Sequence, residues 1–154
     1  MQNQTITHAC GHVWDFALRG PANVVREKVA WLSQQDCKQC ERRRRAERAA
    51  KEAEGIGLPE LRDGSPAQID WAETIRIEVI KAIEAEVNAL RIKAAEAEAE
   101  GRESTYPDLL DTAINFYHNL WAERSARAWI DNRNRCYTQD LRRECLRVQA
   151  DKLG

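Results

Sequence analysis

Two short stretches decide how the first third of this chain folds: Cys10-Gly11-His12 and, after a gap of 24 residues, Cys37-Lys38-Gln39-Cys40. Each stretch places two metal-binding side chains in one tight turn, and structural zinc sites commonly take their four ligands as two such pairs. The second stretch has the standard Cys-x-x-Cys spacing. The first is one residue shorter, and its glycine permits the tight turn that this spacing needs.

The pattern predicts one zinc ion bound tetrahedrally by Cys10, His12, Cys37 and Cys40. Because the protein fills all four positions, none is left for water, and we expect a structural rather than a catalytic ion. His8 lies on the same strand face as Cys10 and could replace His12, which we favour. Polar neighbours on both sides of the second pair make a buried, metal-free cluster of thiols a poorer explanation.

Cysteine usage and charge restrict the setting of the protein. The five cysteines are an odd number, and no basic stretch precedes an apolar run at the N-terminus, so we expect no signal peptide and a reducing, cytoplasmic environment. No segment approaches the roughly 18 apolar residues of a membrane span. The 24 basic and 25 acidic side chains nearly cancel, so any electrostatic attraction to nucleic acid must be local.

Residues 1–54 are predicted to form a zinc-binding module with a trailing helix. Strand-forming residues predict a β-hairpin over 4–19 with the first ligand pair at its turn. Helices are predicted over 22–33 and from about 41 to 54. A module of this size buries too little surface to be comfortably stable alone. A structural zinc ion contributes on the order of 10–16 kcal/mol of apparent binding energy, which would compensate.

Residues 55–65 are predicted to be a linker, because three glycines and a proline fall within ten residues. Residues 66–154 are predicted to be a helical region. Ser65 and Pro66 are typical of a helix start, and apolar residues in steps of three and four extend this helix to about Glu100.

A second long helix is predicted to open at Tyr106 and to bend or end near Asp131, and a last one to begin at about Thr138. The predicted fold class is therefore mainly α. A small zinc-knuckle module of β-hairpin and helix precedes a long antiparallel helical hairpin, with the last helix folded back on it.

Spaced motifs along the chain resemble a group of uncharacterised phage and plasmid proteins. The first motif is Cys-Gly-His, a strand, a helix ending in Ala30-Trp31-Leu32, and Cys-x-x-Cys. The second runs from Gly57 to Arg76 in the form GLPxLxxGSxxQIxWAExIR, and the third is Ala128-Trp129-Ile130-Asp131-Asn132-Arg133. The resemblance implies bound zinc and an origin in a mobile genetic element, and it implies no activity.

A run of arginines, Arg42-Arg43-Arg44-Arg45 with Arg48, follows the second ligand pair on a helix. Four consecutive helical residues point all round the axis, so this turn cannot pack entirely into a core. The run is a candidate phosphate-contacting patch. The alternative is a solvated face paired with nearby glutamates, and no aromatic residue interrupts the run to stack on bases. Binding to nucleic acid is therefore expected to be weak.

Three tryptophans, Trp71, Trp121 and Trp129, occupy helical positions where core packing is the simpler interpretation, although one could anchor a protein interface. The predicted function is that of a non-enzymatic, zinc-stabilised binding protein of a mobile genetic element. It would dock on a host protein or ribonucleoprotein complex, for example as an anti-CRISPR-like or other anti-defence inhibitor, with no small-molecule substrate. The alternative is a nucleic-acid-binding regulator that uses the zinc module and Arg42–Arg45. The oligomeric state is left open.

Overall fold

The computed structural model describes residues 2–153, with the side chain of Leu153 excepted, and has the mainly α architecture predicted. In chain order the elements are β1 (Gln2–Thr7), β2 (Val13–Leu18), α1 (Ala22–Ser33), α2 (Lys38–Gly55), α3 (Pro66–Ala99), α4 (Tyr106–Ala122), α5 (Ala126–Asp131) and α6 (Tyr137–Leu153). The chain divides between Glu47 and Arg48 into two compact units, which we call the N-terminal unit and the C-terminal unit.

The N-terminal unit is built on the predicted hairpin. Strands β1 and β2 are antiparallel, with Ile6 directly opposite Trp14. Since side chains alternate along a strand, the even-numbered residues of both strands share one face. Helix α1 packs on that face, and its small core is formed by buried Ile6, Leu18 and Val25 with Phe16, Val29 and Leu32 at their sides. This core is small, as the length of the unit requires.

Helix α3 begins where the sequence predicts. The Gln68 backbone N–H donates to Ser65 Oγ at 3.4 Å, and the Ser65 backbone N–H donates to Gln68 Oε1 at 2.9 Å, which together form a capping box. Pro66 is the first helical residue. The helix has 34 residues and is therefore about 51 Å long at 1.5 Å per residue.

The core of the C-terminal unit lies along α3. One face of this helix packs against α4, α5 and α6, and a shorter stretch packs against the end of α2. The buried members of the main cluster are Leu61, Ala72, Ile83, Val87, Ala113, Ala126, Trp129, Tyr137 and Leu141. None of the helices within the described residues combines the length and apolar character needed to cross a membrane.

The second arm of the helical hairpin is two helices and not one, so the prediction of a continuous helix from Tyr106 to about Asp131 was wrong. Helix α4 ends at Ala122, and the chain is extended at Ser125 before α5 begins. The break is stabilised by pairing with an earlier segment: the Arg62 N–H donates to the Arg124 carbonyl at 2.7 Å, and the Ala126 N–H donates to the Arg62 carbonyl at 2.9 Å. These bonds satisfy backbone groups that a continuous helix would have paired internally.

Residues 55–65, the predicted linker, lie within the C-terminal unit. Leu58 and Leu61 are both buried, and Leu58 packs with Ala49 and Ala53 of α2. The boundary between the units consequently lies within α2 and not in this segment. Gly64 has a packing reason to be a glycine. A Cβ at this position would lie only 3.2 Å from the Cβ atom of Ala126.

A buried arginine, Arg76, joins the two ends of the second motif, Gly57–Arg76. Arg76 is 0% exposed, and its Nη1 donates to the Pro59 carbonyl at 2.7 Å while its Nη2 lies 2.7 and 2.6 Å from the two carboxylate oxygens of Glu73. A guanidinium is tolerated in a protein interior when such partners replace water. The pair therefore fixes the loop at Pro59 against the first turns of α3.

The three candidate interface tryptophans have different environments. Trp129 is 1% exposed, its ring centroid lies 5.8 Å from that of Tyr137, and its Nε1–H donates to the Glu123 carbonyl at 3.3 Å. Trp129 therefore packs in the core of the C-terminal unit, the simpler of the two interpretations of the sequence. Trp121 is partly buried against the smaller cluster of α2 and α3. Trp71 is 49% exposed and remains available to a partner.

We expect Trp129→Ala to lower the free energy of unfolding of the C-terminal unit by about 3–5 kcal/mol, because it removes a large buried ring and leaves a cavity. Trp71→Ala is the matched control. It removes the same side chain from a half-exposed position and should cost less than about 1 kcal/mol. Urea unfolding followed by helical circular dichroism measures both, and equal losses would contradict the assignment of Trp129 to the core.

Candidate metal centre

The first ligand pair lies in the turn between β1 and β2. The His8 N–H donates to the His12 carbonyl at 2.9 Å, and the Gly11 N–H donates to the His8 carbonyl at 2.8 Å. Gly11 has a φ of +81°, a conformation that side chains with a Cβ seldom adopt. This tight turn directs Cys10 and His12 to the same end of the hairpin.

The second pair lies where α2 begins. Cys37 immediately precedes the helix and Cys40 is in its first turn, and both side chains are buried, at 1% and 4% exposed. The Ala9 N–H donates to the Gln35 carbonyl at 3.0 Å, which joins the hairpin turn to the segment before Cys37. The two pairs therefore face each other within the N-terminal unit.

The four predicted ligands converge as one group. One donor atom from each of Cys10, His12, Cys37 and Cys40 lies within 4.8 Å of all the others. His12 Nδ1 is 3.4 Å from the sulfur of Cys10 and 3.4 Å from the sulfur of Cys40. A ring nitrogen carries at most one proton and cannot donate to both sulfurs. The four side chains are close enough to hold one metal ion, which would account for both short distances.

Backbone N–H groups also point at the sulfurs. The Cys37 N–H donates to Cys10 Sγ at 3.2 Å, and the Cys40 N–H donates to Cys37 Sγ at 3.5 Å. The first of these bonds lowers the pKa of the Cys10 thiol to about 6. Burial, followed by hydrogen bonding to Cys37, raises the pKa of the Cys40 thiol to about 11. The Cys10 thiol therefore ionises more readily than the Cys40 thiol.

His8, the alternative fourth ligand, has a different position. Its side chain is 6% exposed, its Nδ1 lies 3.2 Å from the Gln35 carbonyl oxygen, and its ring meets Phe16 edge-on with centroids 5.7 Å apart. His8 is outside the group of donor atoms that includes His12. These contacts connect the hairpin to the segment before Cys37. His8 therefore helps to position the ligand group without belonging to it.

A groove beside the four ligands was not foreseen from the sequence. Its volume is about 910 Å³, and Trp14 of β2 and Trp31 of α1 line it together with Phe16. The register of the hairpin could have indicated part of it, because Trp14 and Phe16 are two residues apart and share a strand face. No local sequence pattern predicts that Trp31 lines the groove, because only tertiary packing brings the end of α1 to this place.

The arginine run lies on α2 and is exposed along its whole length, with Arg45 and Arg48 among the exposed residues. Its members differ in their contacts. Arg42 lines the groove, Arg43 pairs with Glu47 at 3.7 Å, and Arg44 pairs with Asp36. Both interpretations of the run thus have some physical basis.

Charge is unevenly distributed along the chain. Eight of the 24 basic side chains lie at or before Glu47, against five of the 25 acidic ones, so this part of the sequence carries a net +3 while the whole chain carries −1. Positive charge is therefore in excess in this part of the sequence, although the whole chain is nearly neutral.

Comparison with protein-family models, with curated proteins and with solved structures finds no match to this chain. The functional assignment consequently depends on the geometry of the chain's own residues.

Two histidine variants test which ring nitrogen completes the site. We expect His12→Ala to weaken metal binding by more than about a hundredfold, because it removes a ligand. His8→Ala removes only a supporting hydrogen bond, worth about 1 kcal/mol, and should weaken binding by about tenfold or less. Competition for the metal against a chelator of known affinity measures both. A larger loss for His8→Ala would show that the wrong histidine has been assigned.

Proposed function

We propose that the protein is a non-enzymatic binding protein whose N-terminal unit is stabilised by one zinc ion. Three sulfurs and one imidazole nitrogen form a donor set that zinc prefers over harder cations. With zinc about 2.3 Å from sulfur and about 2.05 Å from nitrogen, a tetrahedron places the two donors about 3.6 Å apart. The two sulfur–nitrogen distances at His12, 3.4 Å each, agree with that value.

The proposed zinc is structural. Four protein ligands complete a tetrahedron and leave no position at which water or a substrate could bind. Among the residues that the structure describes, the hydrophobic core beside the site has three buried members, Ile6, Leu18 and Val25. An apparent binding energy on the order of 10–16 kcal/mol would therefore be a large share of what holds this unit together.

We propose that the protein acts by docking on a host macromolecular complex, as a product of a mobile genetic element. One observation carries the docking surface: Trp71 is half exposed on α3, and the guanidinium of Arg133 lies 5.6 Å from the centroid of its ring. Tryptophan and arginine are the residue types most enriched among interface hot spots. The resemblance of the motifs that contain these two residues to phage and plasmid proteins supports the mobile-element origin, and an anti-defence role is the concrete form of this proposal.

The uneven charge favours a second function, binding of nucleic acid by the N-terminal unit. Arg42–Arg45 follow directly on the proposed zinc site, and the part of the sequence up to Glu47 carries the net +3 noted above. Phosphate contacts of this kind would add a salt-dependent attraction. The two functions are compatible if the host complex contains RNA or DNA.

A comparison of variants tests the docking surface. The full chain is used to retain complexes from a lysate of a bacterial host, and the affinity for a retained component is then measured with purified protein. We expect Trp71→Ala to weaken binding by about 2 kcal/mol, or roughly thirtyfold in Kd. Ile92→Ala is the matched control, since Ile92 is also on α3 and is 60% exposed. Equal affinities for wild type and Trp71→Ala would contradict this surface.

A further inference from the structure

One face of the hairpin extends beyond the helix that covers it. Ile6, Trp14 and Phe16 share this face, because Ile6 and Trp14 are opposed in the register and Phe16 follows two residues later. Ile6 is 2% exposed and packs in the core with α1, whereas Trp14, at the end of β2 nearest the metal-binding loops, is 47% exposed. The indole of Trp14 therefore presents about half of its surface to solvent.

A second indole faces the same groove. Trp31 lies outside the set of α1 residues that pack on the hairpin, Val25, Val29 and Leu32, and it is 58% exposed. The groove that Trp14 and Trp31 line has a volume of about 910 Å³. Pockets of roughly 300–1,000 Å³ enclose a drug-sized ligand, so this groove has room for a base with its sugar.

Cations complete the lining. Lys38 and Arg42 both line the groove, and they are four residues apart on α2 and hence on one side of the helix. Asp36 and Glu41 line it as well, but the carboxylate of Asp36 is already engaged by Arg44. The groove thus combines two exposed indoles and two cations with two carboxylates, of which that of Asp36 is paired with Arg44.

We propose that this groove binds single-stranded nucleic acid, with unstacked bases on Trp14 and Trp31 and phosphates at Lys38 and Arg42. Stacking on aromatic rings is available to every base and depends little on sequence, while a positively charged groove follows the backbone. Paired bases in a duplex are already stacked on each other and therefore cannot stack on the indoles. The inference rests on the nucleic-acid function proposed above and adds its binding site and its strand preference.

A peptide is a poorer match for the same surface. Grooves that receive an amphipathic helix are hydrophobic, whereas Leu32 is the one aliphatic side chain among the described residues that line this groove. Exposed rings flanked by lysine and arginine match the flat faces and negative phosphates of an unpaired strand more closely.

The test uses the zinc-loaded full chain and fluorescence anisotropy with labelled oligonucleotides of about twelve nucleotides, a length within the usual site sizes. The probes are single-stranded RNA, single-stranded DNA and duplex DNA, each at about 50 mM and about 200 mM salt. We expect both single strands to bind more tightly than the duplex, and both to weaken as salt rises. Trp14→Ala and Trp31→Ala should each weaken single-strand binding by about tenfold.

Two controls separate stacking from folding. Trp31→Phe retains an aromatic ring and should lose less affinity than Trp31→Ala. Leu146→Ala removes an exposed apolar side chain from the C-terminal unit, 62% exposed in the folded chain, and should leave single-strand binding unchanged. Zinc content and circular dichroism of the Trp14→Ala and Trp31→Ala proteins should equal those of the wild type.

The outcomes distinguish the groove from the function on which it rests. If both tryptophan variants bind as the wild type does, while glutamine at all four positions Arg42–Arg45 abolishes binding, the groove inference is overturned and the nucleic-acid function stands. Equal affinity for duplex and single strand overturns the groove inference too. If the wild type binds no oligonucleotide even at the lower salt, both are overturned, and the groove is left to a protein partner.

Discussion

The structure of the N-terminal unit depends on holding two loops together at one point. The hairpin turn and the start of α2 each present two metal-binding side chains, and the four donor atoms lie within 4.8 Å of one another. The Gln35 carbonyl also links these segments, because it accepts hydrogen bonds from the Ala9 N–H and the His8 ring. Without a cation, three cysteine sulfurs and an imidazole would gather in a small space for little energetic gain. The zinc ion proposed above would turn this crowding into a major stabilising interaction of the unit.

The position of the proposed stacking groove follows from that constraint. Because the two loops lie together, the beginning of β2 and the end of α1 lie on the same side of the candidate site. Trp14 and Trp31 then border one groove without packing into the core.

In the C-terminal unit the corresponding constraint is different in kind. There Arg62 pairs with the chain between α4 and α5, and the buried Arg76 holds the preceding loop.

Local chemistry explains which features could be predicted from the sequence. The start of α3 was predictable because Ser65 and Pro66 act through neighbouring backbone groups. The ligand set could be proposed because spacing within each pair is a local property, and the structure brings these four side chains together. The break between α4 and α5 was not predictable, since it depends on pairing with Arg62, more than sixty residues earlier. The burial of Leu58 and Leu61 was likewise not predictable from this glycine-rich segment, because it depends on the helices around them.

The central claim is that one zinc ion is held by three sulfurs and one nitrogen, and zinc X-ray absorption of the full chain, purified without chelator, tests it most directly. The account predicts about one zinc per chain, with three sulfur neighbours at about 2.3 Å and one nitrogen neighbour at about 2.0–2.1 Å. A coordination shell dominated by oxygen and nitrogen would contradict the ligand set. Fully folded protein that contains no zinc would contradict the account as a whole.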